Sequence, residues 1–489
     1  MSHKKYIYTQ ISYKQTTSKG YMKKKKILLL SDDMRLHSGV GNMSRKIVEG
    51  TVDKFDWIQL GGAVKHPEEG KTADISEEVA TKTGVKDASV VIYPVSGYGN
   101  ENILRQIVKH DKPDMIIHFT DPRFWGWLYA MEQELRQTMP LGYINIWDDL
   151  PYPHWNENAY ESCDVLMAIS KQTYNINKHV CQRKPRVEGK DLFYTPHGID
   201  ETTFFPITGF DIQYDKFKKD SLPDLDLEFV ALFNSRNIRR KGPSDLIAAF
   251  KTFRDELPKE KHDKVALIMH TDPVDEHGTD LPAVINALDP SLIVIFSTQK
   301  LPEIALNYMY NIADVVCNPS SAEGFGLSHM EALMSGTPTI TTVVGGLQDQ
   351  MGFRNKDGEF ITVNDFSEDV PSNSTGMMGE EHGPWTYPLW PNPSLQGSPM
   401  TPYIYDSRPT TEDITTALKF WYDAGDEERK RCGMIGRDWA IENGFTSKNM
   451  ADDTAHAIQT CLDNFKPREK YTIINTQDKR PVYPSGALI

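Results

Sequence analysis

At 489 residues, 39% of them apolar and 25% charged, the chain has the composition of an ordinary globular protein and is too long for one core. No apolar run approaches the roughly 20 residues that span a bilayer. The formal net charge of −14 excludes polyanion binding over the whole surface, so any nucleic-acid contact needs a local basic patch. The five cysteines (Cys163, Cys181, Cys317, Cys432 and Cys461) lack pairing or metal-ligand spacing, which points to a reducing compartment.

Residues 1–22 read as a flexible basic leader, a solvated tail and not a signal peptide, because only the short apolar stretch 27–30 follows before Ser31-Asp32-Asp33. A cytoplasmic protein is expected. Short apolar runs at 27–30, 90–93, 115–118 and 142–146 read as buried strands, with helical patterns between them at 42–49 and 125–137. The pattern restarts with strands at 228–233, 265–269, 292–296, 315–317 and 339–341 and helices at 244–257 and 303–312. Such alternation predicts two doubly wound α/β units, each a parallel sheet with helices on both faces, joined near residues 200–225. A stretch rich in proline, glycine and aromatic residues, 366–410, breaks the rhythm and reads as an inserted, partly packed loop. Helices are expected at 411–424, 427–441 and 447–464.

The most specific segment runs from Glu323-Gly324-Phe325-Gly326-Leu327 to Glu331 and Gly336. It predicts a strand, a glycine loop and a helix whose first N–H groups can hold an anion without a metal. Gly324 and Gly326 let backbone approach a ligand, and Gly336 ends the helix. Glu331, about a turn into the helix, is placed to accept hydrogen bonds from sugar hydroxyls. A second segment, Arg236-Asn237-Ile238-Arg239-Arg240-Lys241-Gly242-Pro243, places Arg236 at a strand end and Lys241 just before a helix opened by proline. Both cations are expected to converge on the mouth of the sheet and stabilise a departing diphosphate. Gly39-Val40-Gly41 is a third glycine turn between strand and helix, weaker as a signal.

Together these segments resemble the GT-B glycosyltransferases, in particular the retaining group called family four. The Glu-x7-Glu spacing of Glu323 and Glu331, the Arg-x4-Lys of Arg236 and Lys241, and Pro196-His197-Gly198-Ile199-Asp200 before the linker match its pattern. The resemblance implies two Rossmann-like domains facing across a cleft: an acceptor-side domain at 23–205 and a nucleotide-sugar domain at 206–440. A last segment, 441–489, would return to the first domain. It further implies a nucleoside diphosphate sugar donor, no other cofactor and no metal. Glu331 would contact the ribose, Glu323 the transferred sugar, and Arg236 with Lys241 the diphosphate. Gly39, Gly41, Gly324, Phe325, Gly326 and Leu327 would line the donor site, with Thr298 in the strand end 297–300 facing the base.

One departure stands out. Where the family carries a histidine after a strand of the first domain, this sequence reads Trp147-Asp148-Asp149, so Asp148 or Asp149 takes its place; the sequence does not fix which. Asp121 is another acid at a strand end, readable also as a cap, and His118 reads as a packing residue. The acceptor is left open among a glycan, a small molecule, a protein and a modified nucleic acid. Two rivals stand beside the main reading: a transferase acting on a hydroxymethylated DNA base, for which a basic groove in the cleft would speak, and a non-catalytic sugar-binding protein. A sugar phosphorylase lacks support, since no cofactor lysine motif is present.

Overall fold

The computed structural model describes residues 23–181, 191–222 and 225–469. The basic leader and the end of the tail lie outside them. The first domain is built on an eight-stranded sheet of β1 (Lys25–Asp32), β2 (Phe55–Ala63), β3 (Ala73–Asp74), β4 (Val90–Ser96), β5 (Met115–Phe119), β6 (Leu141–Asn145), β7 (Val165–Ala168) and β8 (Asp191–Tyr194), in the order β3-β4-β2-β1-β5-β6-β7-β8. Every pairing is parallel except β3 with β4. The second sheet has six parallel strands, β9 (Phe229–Asn234), β10 (Val265–His270), β11 (Val294–Ser297), β12 (Val315–Asn318), β13 (Thr339–Thr342) and β14 (Thr386–Leu389), ordered β11-β10-β9-β12-β13-β14. Strand order reverses beside β1 and beside β9, so each sheet has a switch point at which loops from the strand ends leave a crevice.

The sequence dictates these elements simply. Ile27, Leu28, Leu29 and Leu30 of β1 are buried on both faces, as expected for a central parallel strand. Ser38 caps the helix Gly39–Thr51 by accepting the Gly41 N–H, and Met43, Ile47 and Val48 give that helix its buried stripe. β2 is invisible to an apolar-run reading because it buries a glutamine: Gln59 Nε2 donates to the Ser31 hydroxyl and the Asp32 carbonyl, both at 2.8 Å, and Gln59 Oε1 accepts the Met34 N–H.

Two expectations need correction. The single helix expected at 125–137 is a series of short turns, including the helices Gly126–Ala130 and Glu132–Leu135, with Met131 donating to Leu128 in an i, i+3 bond between them. That tightening turns Trp125, Leu128, Met131 and Leu135 into one apolar cluster. The segment 366–410 is not one loop. It buries Phe366, Met378 and Trp385, supplies β14 to the main sheet, and ends in an antiparallel hairpin of β15 (Asn392–Ser398) and β16 (Thr401–Arg408).

That hairpin straps the domains together. Tyr405 N–H donates to the Leu150 carbonyl at 2.7 Å, the Tyr403 hydroxyl donates to the Tyr152 carbonyl, and Arg123 reaches the Thr401 hydroxyl at 2.9 Å. At its other end Arg408 pairs with Asp245 of the second domain. The chain also crosses back through Phe445 and Thr446 into the helix Ser447–Asn464, which packs on the first domain and pairs Asp452 with Lys54. The crossing explains Gly198: a Cβ there would lie 2.1 Å from the Thr446 carbonyl oxygen, while Ile199 exchanges backbone bonds with Phe445 and Ser447.

Candidate active site between the two domains

The cleft holds a cavity of about 480 Å³. From the first domain it is lined by Asp32, Ser38, Gly39, Phe119, Asp121, Arg123, the loop 146–149 and His197; from the second by Arg240 and the run 323–327; and from the hairpin by Thr401 and Ile404. The domains nearly touch here, since a Cβ on Gly39 would stand 3.6 Å from Leu327 Cδ1.

The wall of the second domain is made by two turns. After β12, Gly326 takes φ of 93°, a left-handed conformation that glycine adopts without strain, and opens the helix Leu327–Met334 with no side chain capping it. Its first N–H groups therefore meet the cavity, together with the positive end of the helix dipole. After β9, the turn Arg239–Lys241 closes on left-handed Gly242, with Pro243 starting the next helix. This turn buries Lys241 against Glu323 in an ion pair, and Arg240 stands 3.8 Å from Glu323 and 3.9 Å from Asp148. Burial, then the neighbouring Arg240, push the Lys241 ammonium well below its ordinary pKa, while the Asp148 charge works the other way; contact with the Glu323 carboxylate also favours the charged form.

The wall of the first domain carries acids. The loop after β6 is held by its backbone: Trp147 N–H donates to Asn145 Oδ1, Gln172 to the Asp148 carbonyl, Thr173 to the Trp147 carbonyl, and the Trp147 indole to the Asp149 carbonyl. The carboxyl groups of Asp148 and Asp149 are left to the cavity on a rigid support. Burial raises the pKa of both; Asp149 is pushed well up, next by the adjacent Asp148, and Asp148 is pulled back by Arg240 and Lys241. Asp32 is occupied, accepting from Ser38 at 2.5 Å and Tyr98 at 2.9 Å. Asp121 accepts the Arg123 N–H, as a cap does, and binds the Arg123 guanidinium at 2.5 Å while lining the cavity. His197, between the rings of Phe119 and Phe325, is buried and its pKa falls to about 3, so it is neutral. His118 is stacked on Tyr143 at 4.2 Å and likewise neutral, with burial taking it to about 3.

The structure thus brings together Gly39, Asp148, Asp149, Lys241, Glu323, Gly324, Phe325, Gly326 and Leu327. It places four expected residues elsewhere. Arg236 does not converge with Lys241: it is largely exposed and donates to Asp275 at 2.8 Å. Gly41 lies beneath the turn, where a Cβ would meet the Asp33 and Leu36 carbonyl oxygens at 2.9 Å. Thr298 lines a separate cavity of about 310 Å³ with Phe217, Ser221 and Gln299. Glu331 is half-buried outside the cavity lining and accepts from the Tyr310 hydroxyl at 2.6 Å, which accepts in turn from Asn234. Arg240 and His197, in the cavity, were in motifs but not singled out; the run Arg239-Arg240-Lys241 was the available signal for the first. Asp32, Arg123 and the hairpin residues carried none.

Two parallel α/β domains facing each other over a cleft define a protein of the GT-B class. Residues 215–369 match the family described as Glycosyl transferases group 1. A D-inositol 3-phosphate glycosyltransferase of Arthrobacter sp. (strain FB24) is 30% identical over 165 residues, 31% of this chain and 34% of that protein. The mannosylfructose-phosphate synthase of Agrobacterium fabrum is 28% identical over 198 residues, 38% of this chain and 39% of its own. The matches thus span little more than a third of these relatives' length. Among solved structures, Anabaena Alr3699/HepE in complex with UDP and glucose superposes with a TM-score of 0.60 at 14% identity, covering 89% of this chain and 100% of that one. Residues 215–369 thus carry the likeness to glycosyl transferases group 1, and the chain as a whole has the GT-B fold.

Proposed function

We propose that the chain transfers a sugar from a nucleoside diphosphate sugar to an acceptor held against the first domain, with retention of configuration and without a divalent metal. The observation that carries this reading is the buried Lys241–Glu323 pair beside the uncapped helix start at Gly326 and Leu327. Cations and aligned N–H groups beside a carboxylate suit a diphosphate next to a polyhydroxylated ring. In this reading Arg240, Lys241 and the Gly326 and Leu327 N–H groups receive the electron pair that leaves with the diphosphate as the bond to the anomeric carbon breaks. Glu323 holds sugar hydroxyls, Glu331 the ribose, and the recess at Thr298 the base. Arg236 reaches the diphosphate only by leaving Asp275. Asp148 or Asp149 orients the acceptor hydroxyl and takes its proton as the new carbon–oxygen bond forms. A DNA base as acceptor gains no support: Arg123 is the one lysine or arginine among the described cavity residues of the first domain, and Asp121 already holds it.

A thermal-shift screen of nucleoside diphosphates and nucleotide sugars tests the donor site, since a ligand at 100 times its dissociation constant adds about 2.7 kcal/mol of stability. No shift with any of them sinks the proposal. Sugar transfer or donor hydrolysis should survive EDTA. Loss restored by manganese or magnesium would mean that a metal, and not Arg240 and Lys241, neutralises the diphosphate.

A further inference from the structure

The acids after β6 face two ways. On the side away from Gly39, Asp148 and Asp149 line a second cavity of about 260 Å³, which they share with Gln172, Ser321, the segment 369–375 and the hairpin. Several pieces of chain meet there: the β6 loop of the first domain, the turns at Ser321 and Gly345 of the second, the segment after Phe366, and the hairpin residues Pro393, Tyr405 and Ser407. The hairpin makes this space a pocket, because the Tyr405 N–H bond to Leu150 fixes its outer wall against the same loop that carries the two acids. A ligand there reaches Asp148 and Asp149 from the hairpin side, next to Ser321 and Gly345 at the edge of the donor loop.

The lining decides what such a ligand can be. The hydroxyls of Ser321, Ser372, Ser374, Thr375, Tyr405 and Ser407 offer partners to sugar or polyol hydroxyl groups. The charged side chains among the described lining residues are Asp148, Asp149 and Asp369, with no lysine, arginine or histidine. A phosphate held here would be desolvated beside carboxyl groups that repel it, while Arg240, outside the lining, is already shared between Asp148 and Glu323. An ammonium group would gain from the same surroundings.

Resting on the transferase reading above, we propose that this hairpin-walled pocket is the acceptor subsite and that it takes an uncharged polyol or an amine-bearing sugar, excluding phosphorylated acceptors. The contrast is with relatives whose names carry a phosphate. The pocket's residues 370–377 and its hairpin wall lie outside the matched family segment.

The test exploits the five native cysteines, all of which are buried. A Ser407→Cys variant places one accessible thiol in the wall. Its modification rates with a trimethylammonium and a sulfonate methanethiosulfonate are measured, each normalised to the rate on free cysteine. The cationic reagent should be favoured at least about tenfold; equal rates, or a faster sulfonate, overturn the proposal. Matched acceptors are compared alongside: methyl glucoside and glucosamine against glucose 6-phosphate, with a donor that passed the binding screen. Faster transfer to the phosphorylated sugar also overturns it, and if none of the three is used, the thiol rates decide. Calorimetry with the nucleoside diphosphate separates the two readings. If the nucleotide binds and the charge preference is absent, only the acceptor pocket is wrong. If no nucleotide binds, the transferase reading fails and the acceptor assignment with it.

Discussion

The second domain meets the cleft with Arg240, Glu323 and the helix start at Gly326 and Leu327, with buried Lys241 paired to Glu323, whereas the first meets it with Asp32, Asp121, Asp148 and Asp149. The two walls differ also in how their charges are settled. Lys241 is closed in an ion pair, while on the acidic side Asp32 and Asp121 are answered by Ser38, Tyr98 and Arg123, and Asp148 and Asp149 are held through their backbone with Arg240 3.9 Å from the Asp148 carboxyl. An electropositive wall suits a leaving diphosphate, and an acidic wall suits hydroxyl groups and a proton. A carboxylate beside the diphosphate would repel it, so Arg240, 3.9 Å from Asp148 and 3.8 Å from Glu323, has to balance the acids in the proposed chemistry.

The harshest way to break this comparison is to discharge the second wall. Lys241→Ala should slow transfer about 10²- to 10³-fold, as the loss of a charge-stabilising donor does. It also leaves Glu323 with only the more distant Arg240, and breaking a buried pair typically destabilises by about 3–5 kcal/mol. The double variant Lys241→Ala/Glu323→Gln separates the effects: thermal stability should return while steady-state kinetics stay poor. Recovery of turnover would show that the pair is structural.

A smaller effect sharpens the picture inside one segment. Arg236 and Arg240 lie four positions apart, yet Arg240 faces the cavity and Arg236 is held by Asp275. Arg240→Ala should cost roughly ten- to a hundredfold in kcat/KM, less than Lys241 because it is half exposed, and Arg236→Ala only a few-fold. If the order is reversed, Arg236 leaves Asp275 when the donor binds, and the resting geometry is not the working one.

That pair also shows what the sequence could and could not tell. Glu323, Gly326, Leu327 and Lys241 were legible because each sits at a fixed offset from a strand end or a helix start, where spacing determines position. Arg236 was misplaced because a long side chain on a turn is directed by its partner, and Asp275 lies far off in sequence. Gly41 looked like a ligand-facing glycine but answers a packing need, which period and spacing do not distinguish. β2 stayed hidden because its buried Gln59 reads as polar, and the hairpin because β15 and β16 are mostly exposed and form their own two-stranded sheet. The acids Asp148 and Asp149 were visible as a departure from the family pattern, but their two-sided exposure depends on the hairpin. Only the fold joins the two.

The mildest perturbation concerns stability in the acidic wall. Burial and the neighbouring Asp148 raise the Asp149 pKa well above its ordinary value, so folding favours its protonated form. A group whose folded pKa exceeds its unfolded value stabilises fully below the unfolded value, near pH 4, and that contribution is lost as pH rises through the folded value. Once ionised, the carboxyl is then a cost the native state carries for its chemistry. Asp149→Asn removes the cost, so its melting temperature at pH 7 should rise by about 2 °C and the gap to the native chain should close on acidification toward pH 4. The same variant should lose turnover while its calorimetric affinity for the nucleoside diphosphate stays nearly unchanged, because the acid stands away from the phosphates. A lower melting temperature would mean that Asp149 is satisfied by a partner and is a structural acid; a collapse of nucleotide binding would put it on the donor's wall instead of the acceptor's.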